Sequence, residues 1–241
     1  MLFTQTFHQQ FRDSDAEGMI GVKAYMRYFQ DLHTWYMHNI GKGNDTLPED
    51  YGAAWVYTRC HIRAHRRIGY GAPLEGSMWM EPYRQPVLVN MDLFLRQDGE
   101  VVAEGKLESC LFSLTRQRPI RLGDVDFPEG MPEARADTAE GFIIPERSAE
   151  GMETRYAHTV RYSDLDKSRH MNNLRYIEMF QDAYDSAFWQ EFCPMEMQLN
   201  FLTQCREGET LSIRARLADG ALRMAALHED GKLAALGYFA R

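Results

Sequence analysis

Residues 11–31 and 162–182 align without a gap: FRDSDAEGMIGVKAYMRYFQD against YSDLDKSRHMNNLRYIEMFQD. Asp13/Asp164, Asp15/Asp166, Tyr25/Tyr176, Phe29/Phe180, Gln30/Gln181 and Asp31/Asp182 are identical between the two. Repeats of solenoids recur every ~20–50 residues; two copies this far apart mark a duplicated domain instead. The copies part where chemistry belongs. The second reads Asp166-Lys-Ser-Arg-His170, the first Asp15-Ala-Glu-Gly-Met19. A fold position that accepts Met19 does not demand a histidine for packing, so His170 is a candidate functional residue.

At 241 residues, 44% apolar and 26% charged, the chain has the composition of a globular protein with room for two small domains. No apolar run approaches the ~20 residues of a membrane helix. The first residues lack the basic-then-apolar plan of a secretory signal. Cys60, Cys110, Cys193 and Cys205 show no paired spacing, which predicts reduced thiols in a cytoplasmic protein. The net charge of −8 argues against nucleic-acid binding, which needs a basic surface. Residues 122–155 carry 9 acidic and 3 basic side chains, with Pro128, Pro132 and Pro145 among them. This segment predicts a solvated acidic linker between a first half, 1–121, and a second half, 156–241.

In the first half, 4–12 predicts a strand. Val22, Tyr25, Met26, Phe29, Leu32, Tyr36 and Ile40 then recur at helical spacing. Strand-like runs follow at 54–65, 77–81, 88–96 and 101–113, with Asp98-Gly99 as a hairpin turn. The second half repeats the plan: a strand at 156–162, a helix from 173 to about 189 with Ile177, Phe180, Tyr184 and Phe188 inward, then strands at 197–205, 210–217, 222–228 and 233–240. Each half is a long helix followed by antiparallel strands able to wrap it, an α+β arrangement. His61 and His65 lie four apart on a predicted strand, too far along it to share a metal, and no metal or organic cofactor is predicted.

An Asp four residues before a His, just ahead of a helix start, sets both beside unpaired backbone N–H groups and a partial positive charge. Such N–H groups stabilise an oxyanion, and the carboxylate and imidazole suit acyl transfer or hydrolysis. Asn172 and Asn173 supply short amides for the helix cap and mark the candidate oxyanion site.

The stretch from Asp164 to Tyr176 resembles the D-x-D-x-N-x-H-V-N-N-x-x-Y segment of the acyl-acyl carrier protein (acyl-ACP) thioesterases, which are double hot-dog proteins. Trp55-Val-x-x-Arg59, Met78-Trp79 and Ser113-Leu-Thr-Arg-Gln-Arg-Pro119 resemble segments of that family in the same order. The resemblance implies a tandem double hot-dog fold and hydrolysis of fatty acyl-ACP to fatty acid and carrier, within fatty acid biosynthesis. It places the catalytic pair on Asp166 and His170. The family's intervening Asn falls on Ser168, and its later Glu-Cys pair on Gln204-Cys205, where Gln cannot act as a carboxylate base. Asp166 then attacks the thioester or orients water, and His170 positions the thioester or shuttles the proton. It puts an acyl pocket in the first half. An acyl-CoA thioesterase of the same fold and a non-catalytic acyl- or carrier-binding protein are the alternatives, and a monomer or a homodimer fits equally.

Arg59, Arg63, Arg66 and Arg67 form the densest basic cluster of an acidic chain and predict a docking patch for an acidic carrier. Cys205, read on a strand, is more often a small hydrophobe than a nucleophile.

Overall fold

The computed structural model describes all 241 residues. The strands are β1 (Phe3–Phe7), β2 (Ala53–Ala64), β3 (Leu74–Met80), β4 (Leu88–Gln97), β5 (Glu100–Ser113), β6 (Arg118–Pro119), β7 (Glu153–Thr159), β8 (Glu196–Phe201), β9 (Thr210–Ala218), β10 (Ala221–Leu227) and β11 (Leu233–Ala240). The helices are α1 (Val22–Asn39), α2 (Leu47–Tyr51), α3 (Asn173–Gln181) and α4 (Ser186–Phe192). All strands join one sheet in the order β1-β3-β4-β5-β2-β8-β11-β10-β9-β7, with β6 on β5. From one edge the order runs β1, β3, β4, β5, β2; from the other it runs β7, β9, β10, β11, β8. The sheet therefore has an internal pseudo-twofold, centred where β2 pairs antiparallel with β8 through His61↔Gln198. This is a double hot-dog fold.

The crowded apolar face of α1 has a simple cause. Val22, Ala24, Tyr25, Met26, Tyr28, Phe29, Leu32, His33, Tyr36 and Met37 are all buried, so the curled sheet covers most of the helix circumference. Approach is so close that glycine lies beneath each shared phenylalanine. A Cβ on Gly105 of β5 would meet the Phe29 ring, and one on Gly237 of β11 would lie 2.9 Å from the Phe180 ring. At the β4–β5 hairpin Asp98 and Gly99 both have positive φ, 54° and 82°, the two-residue geometry that Asp-Gly favours.

Four expectations need correction. The second-half helix is not continuous: α3 ends at Gln181 and α4 starts at Ser186, where the Asp185 carboxylate accepts the Phe188 N–H at 2.9 Å. A capping side chain competes with helix continuation there. Gln204 and Cys205 lie beyond the end of β8, not on a strand. The acidic segment is not a free linker. It runs along the outer face of the sheet: Ala139 is buried against Trp79 and Phe94 and donates its N–H to Asp92 at 3.1 Å, and Ile143 exchanges two hydrogen bonds with Gln198. The strand that follows it begins at Glu153 rather than 156.

Candidate active site

Both copies of the repeated motif fold alike because the first shared aspartate ties the loop down. The Asp13 carboxylate accepts the Gln10 N–H and the Tyr28 hydroxyl, each at 2.8 Å. The Asp164 carboxylate accepts the Arg161 N–H at 2.8 Å, with His158 Nε2 at 3.1 Å. The chain then doubles back: Asp15 N–H donates to Met19 O at 2.7 Å, and Asp166 N–H to His170 O at 2.9 Å. That pairing sets the second aspartate beside the fifth residue, histidine in one copy and methionine in the other. The turn requires a left-handed residue, which is Gly18 (φ 70°) in the first copy and Arg169 (φ 60°) in the second.

Asp166 Oδ1 accepts the Ser168 N–H at 2.7 Å, and both residues are exposed. Asn172 caps α3: its Oδ1 accepts the Leu174 N–H at 2.9 Å, while its own N–H is taken by Asp164 O at 2.8 Å. The Asn172 N–H is therefore committed to the loop. The Asn173 N–H, at the first helical position, is the one in this turn that fits an oxyanion.

Asp166, Ser168, His170, Asn173 and Gln204 all line one cavity of about 240 Å³ at the junction of the halves. The opposite wall comes from the first half, where Met37, Asn44, Trp55 and Tyr57 face it together with Gln30 and His33. His33 is buried; its Nδ1 lies 2.9 Å from Tyr57 Oη, and its ring packs edge-on against Trp55 and Tyr57. Burial pushes its pKa down to about 3, so the imidazole is neutral at any working pH. Trp55 and the helix that carries Gln30, His33 and Met37 are the part of this wall that the sequence offered as acyl-tunnel lining; Asn44 and Tyr57 were not singled out from sequence. A further signal for this wall exists in Gln30, one of the shared residues of the repeat.

Cys205 is not part of the cavity wall. It is buried beneath it, where Tyr176 Oη donates to its Sγ at 3.2 Å. Burial pushes its thiol up to about 11. Donor atoms of Cys205, Glu209 and His228 come within 4.8 Å of one another. Each already has a protein partner: Tyr176 for the thiol, the Arg206 N–H for Glu209 at 3.0 Å, and Thr203 Oγ1 for His228 Nε2 at 2.8 Å.

The four arginines of the basic cluster are brought close in sequence but are all engaged. Arg59 pairs with Glu108 at 2.6 Å, Arg63 with Glu140, Arg67 with Asp15 at 2.6 Å, and Arg66 donates to Gln97 at 3.1 Å. Arg67 has a telling counterpart. Ile20 N–H donates to Ile68 O as Met171 N–H donates to Cys205 O, so Arg67 and Gln204 occupy equivalent positions. Asp15 pairs with a guanidinium; the cavity that Asp166 lines has a neutral amide at the equivalent position.

The double hot-dog fold is shared with solved thioesterases, and the family models carry the class of enzyme, a thioester hydrolase. The model of the acyl-ACP thioesterase N-terminal domain matches residues 1–125, and that of the acyl-ACP thioesterase C-terminal domain matches residues 146–233. The chain belongs to the acyl-ACP thioesterase family, and it hydrolyses the thioester of fatty acyl-ACP. An acyl-ACP thioesterase from Bacteroides thetaiotaomicron superposes with a TM-score of 0.85 at 16% identity, covering 99% of this chain and 97% of that one. The 12:0-ACP thioesterase from Umbellularia californica gives a TM-score of 0.77 at 16% identity over 99% and 96%. No curated protein matches the chain significantly in sequence. No helix is long and apolar enough to cross a membrane.

Proposed function

We propose that Asp166 and His170 carry the hydrolysis and that the first half holds the acyl chain. The observation behind this is the contrast between two loops of the same shape. Asp15 is ion-paired with Arg67 and flanked by Met19; Asp166 stands in no ion pair and lines one cavity with Gln204 and His170. The thioester carbonyl sits at the start of α3, where the Asn173 N–H and the helix N-terminus polarise it. Asp166 accepts a proton from water as the water oxygen bonds to the carbonyl carbon. The C–S bond then breaks with its electron pair moving to sulfur, and the proton that Asp166 took from water passes through His170 to the thiolate, which returns both residues to their starting forms. Ser168 fixes the Asp166 carboxylate through its backbone N–H, and Gln204 orients the water. Met37, Trp55, Tyr57 and Phe201 give the chain an apolar wall. The two halves of the chain supply facing walls of the cavity, as two chains would in a hot-dog dimer, and we place the protein in the cytoplasm.

Cys205 has no nucleophilic part in this reaction, because a reactive cysteine needs a depressed pKa and access. Cys205→Ser is expected to keep kcat within about threefold of the wild type, the loss reflecting only the weak Tyr176 contact. A burst of covalent acyl-enzyme that disappears in this variant would return the nucleophile role to sulfur.

The carrier docks at the mouth of the cavity. Lys167, Arg169 and Arg206 are exposed and stand in no ion pair. Their counterparts at the inactive loop are Ala16, Gly18 and Gly69, so the active side alone carries these cations. Arg169 keeps its charge although the left-handed turn favours glycine. Lys167→Glu/Arg206→Glu is expected to raise KM for acyl-ACP about tenfold or more at low salt, a gap that closes as salt rises. Hydrolysis of a carrier-free acyl-pantetheine is expected to stay unchanged. Arg169→Gly is expected to raise the same KM without lowering Tm. Equal loss on both substrates would remove the docking role, and comparable efficiency of wild type on acyl-CoA would make CoA thioesters the substrates.

A further inference from the structure

The pseudo-twofold generates a second cavity, and the reaction above makes no use of it. Its volume is also about 240 Å³, and it lies between the inactive loop of the first half and α4 of the second. Counterparts line it: Ile20 for Met171, Val22 for Asn173, Tyr25 for Tyr176 and Arg67 for Gln204. Hydrolysis has no means here. Asp15 Oδ1 accepts the Glu17 and Met19 N–H groups at 2.9 and 3.0 Å, and its Oδ2 is held by Arg67 at 2.6 Å. Methionine stands where the active loop has histidine.

What the cavity retains is the means to bind. Substituting Val22 for Asn173 makes the helix-start wall apolar, and Ala64, Trp189 and Met195 continue it. An apolar cavity of about 150 Å³ takes up benzene, so this one admits a longer run of methylenes. Asp15, Glu17, Arg67, Gln181, Ser186 and Gln190 make the rest of the lining polar, and among the apolar residues Tyr25 carries a polar group. Tyr25 is 2% exposed, and its hydroxyl has no partner in the protein. Its counterpart Tyr176 donates to Cys205 Sγ, but the position of Cys205 is filled here by Ile68, whose side chain has no acceptor. A buried hydroxyl left this way costs about 1–3 kcal/mol, an amount that a ligand acceptor recovers. The rim carries no net cation: Arg67 is paired with Asp15, and Glu17 accepts from Gln190 at 2.6 Å.

We propose that this cavity binds an alkyl chain ending in a carbonyl, which accepts from Tyr25, and holds it without turnover. The same chemistry has two sources, the free fatty acid released by the reaction and an intact acyl group. Calorimetric titration of the full chain with octanoate and with octanamide separates them. Two equivalents of at least one probe are expected to bind the wild type. Ala64→Phe, which fills the cavity from β2, is expected to bind one while acyl-ACP hydrolysis continues. Tyr25→Phe is expected to weaken the second equivalent about tenfold and leave the first unchanged. Binding of the second equivalent by octanoate alone assigns the site to the product acid, and binding by octanamide assigns it to an intact acyl group. A single equivalent for both probes overturns the proposal, as does a second equivalent indifferent to both substitutions. Asp166→Asn leaves this stoichiometry unchanged, so failure of the catalytic reading and failure of this one are distinguishable.

Discussion

Asp166→Asn is expected to lower kcat for acyl-ACP hydrolysis by about 10³-fold, within the range a positioned general base supplies. The carboxylate accepts one backbone N–H, from Ser168, and is otherwise exposed. An asparagine carbonyl keeps that contact, so Tm should hold within a degree or two while the proton acceptor is lost. His170→Ala is expected to cost a similar factor, because the half-buried imidazole makes no hydrogen bond that the loop needs; its backbone carbonyl does that work. If the two side chains act in one step, their losses will not add: the double variant should be no slower than the slower single one by more than about threefold. Thiol release with a thiol-reactive dye reads all three. Folded single variants retaining more than a tenth of wild-type kcat would move the chemistry to other groups on the cavity wall.

The duplication, the loop and the helix that follows it were legible because each rests on local sequence. Asp13 and Asp164 close their own turns within three residues, and a tie of that range leaves its trace in a short motif. Contacts set by sheet register leave none. Arg59 and Arg63 look like a free basic patch until β5 brings Glu108 beside one and the acidic segment brings Glu140 beside the other. His33 and Tyr57 enter the active cavity only because β2 pairs with β8, a pairing that no residue in either half announces. The break between α3 and α4 was masked for a different reason. Ile177, Phe180, Tyr184 and Phe188 keep helical spacing across it, so the apolar period runs on while Asp185 restarts the backbone. Which of Asn172 and Asn173 offers its N–H is likewise a matter of geometry, decided by the Asp164 carbonyl.

Gly105→Ala is expected to destabilise the fold by about 3 kcal/mol, the upper part of the range for overpacking a full core. The added Cβ would intrude on the Phe29 ring and lie 2.7 Å from the His61 carbonyl oxygen. A ring can turn aside, but His61 sits on β2 at the centre of the sheet, and its carbonyl moves only if the β2–β5 ladder moves with it. At about 2–4 °C per kcal/mol for a chain of this size, Tm should fall by roughly 6–12 °C. Gly237→Ala is the internal comparison. Its Cβ would meet only side chains, at 2.9 Å from the Phe180 ring and 3.2 Å from Phe239, so the loss should be less than half as large. Thermal melts of the two variants side by side test the reason for these glycines: equal losses would mean that helix-to-sheet distance alone sets the cost. A larger loss at Gly105 would show that the first half has the less yielding backbone. The active cavity takes one of its walls from that half, through α1 and β2, and the spacing of those elements fixes the room left for the acyl chain. Gly105→Ala should therefore also disturb catalysis, through the position of His33 and Tyr57, at temperatures where the protein is still folded.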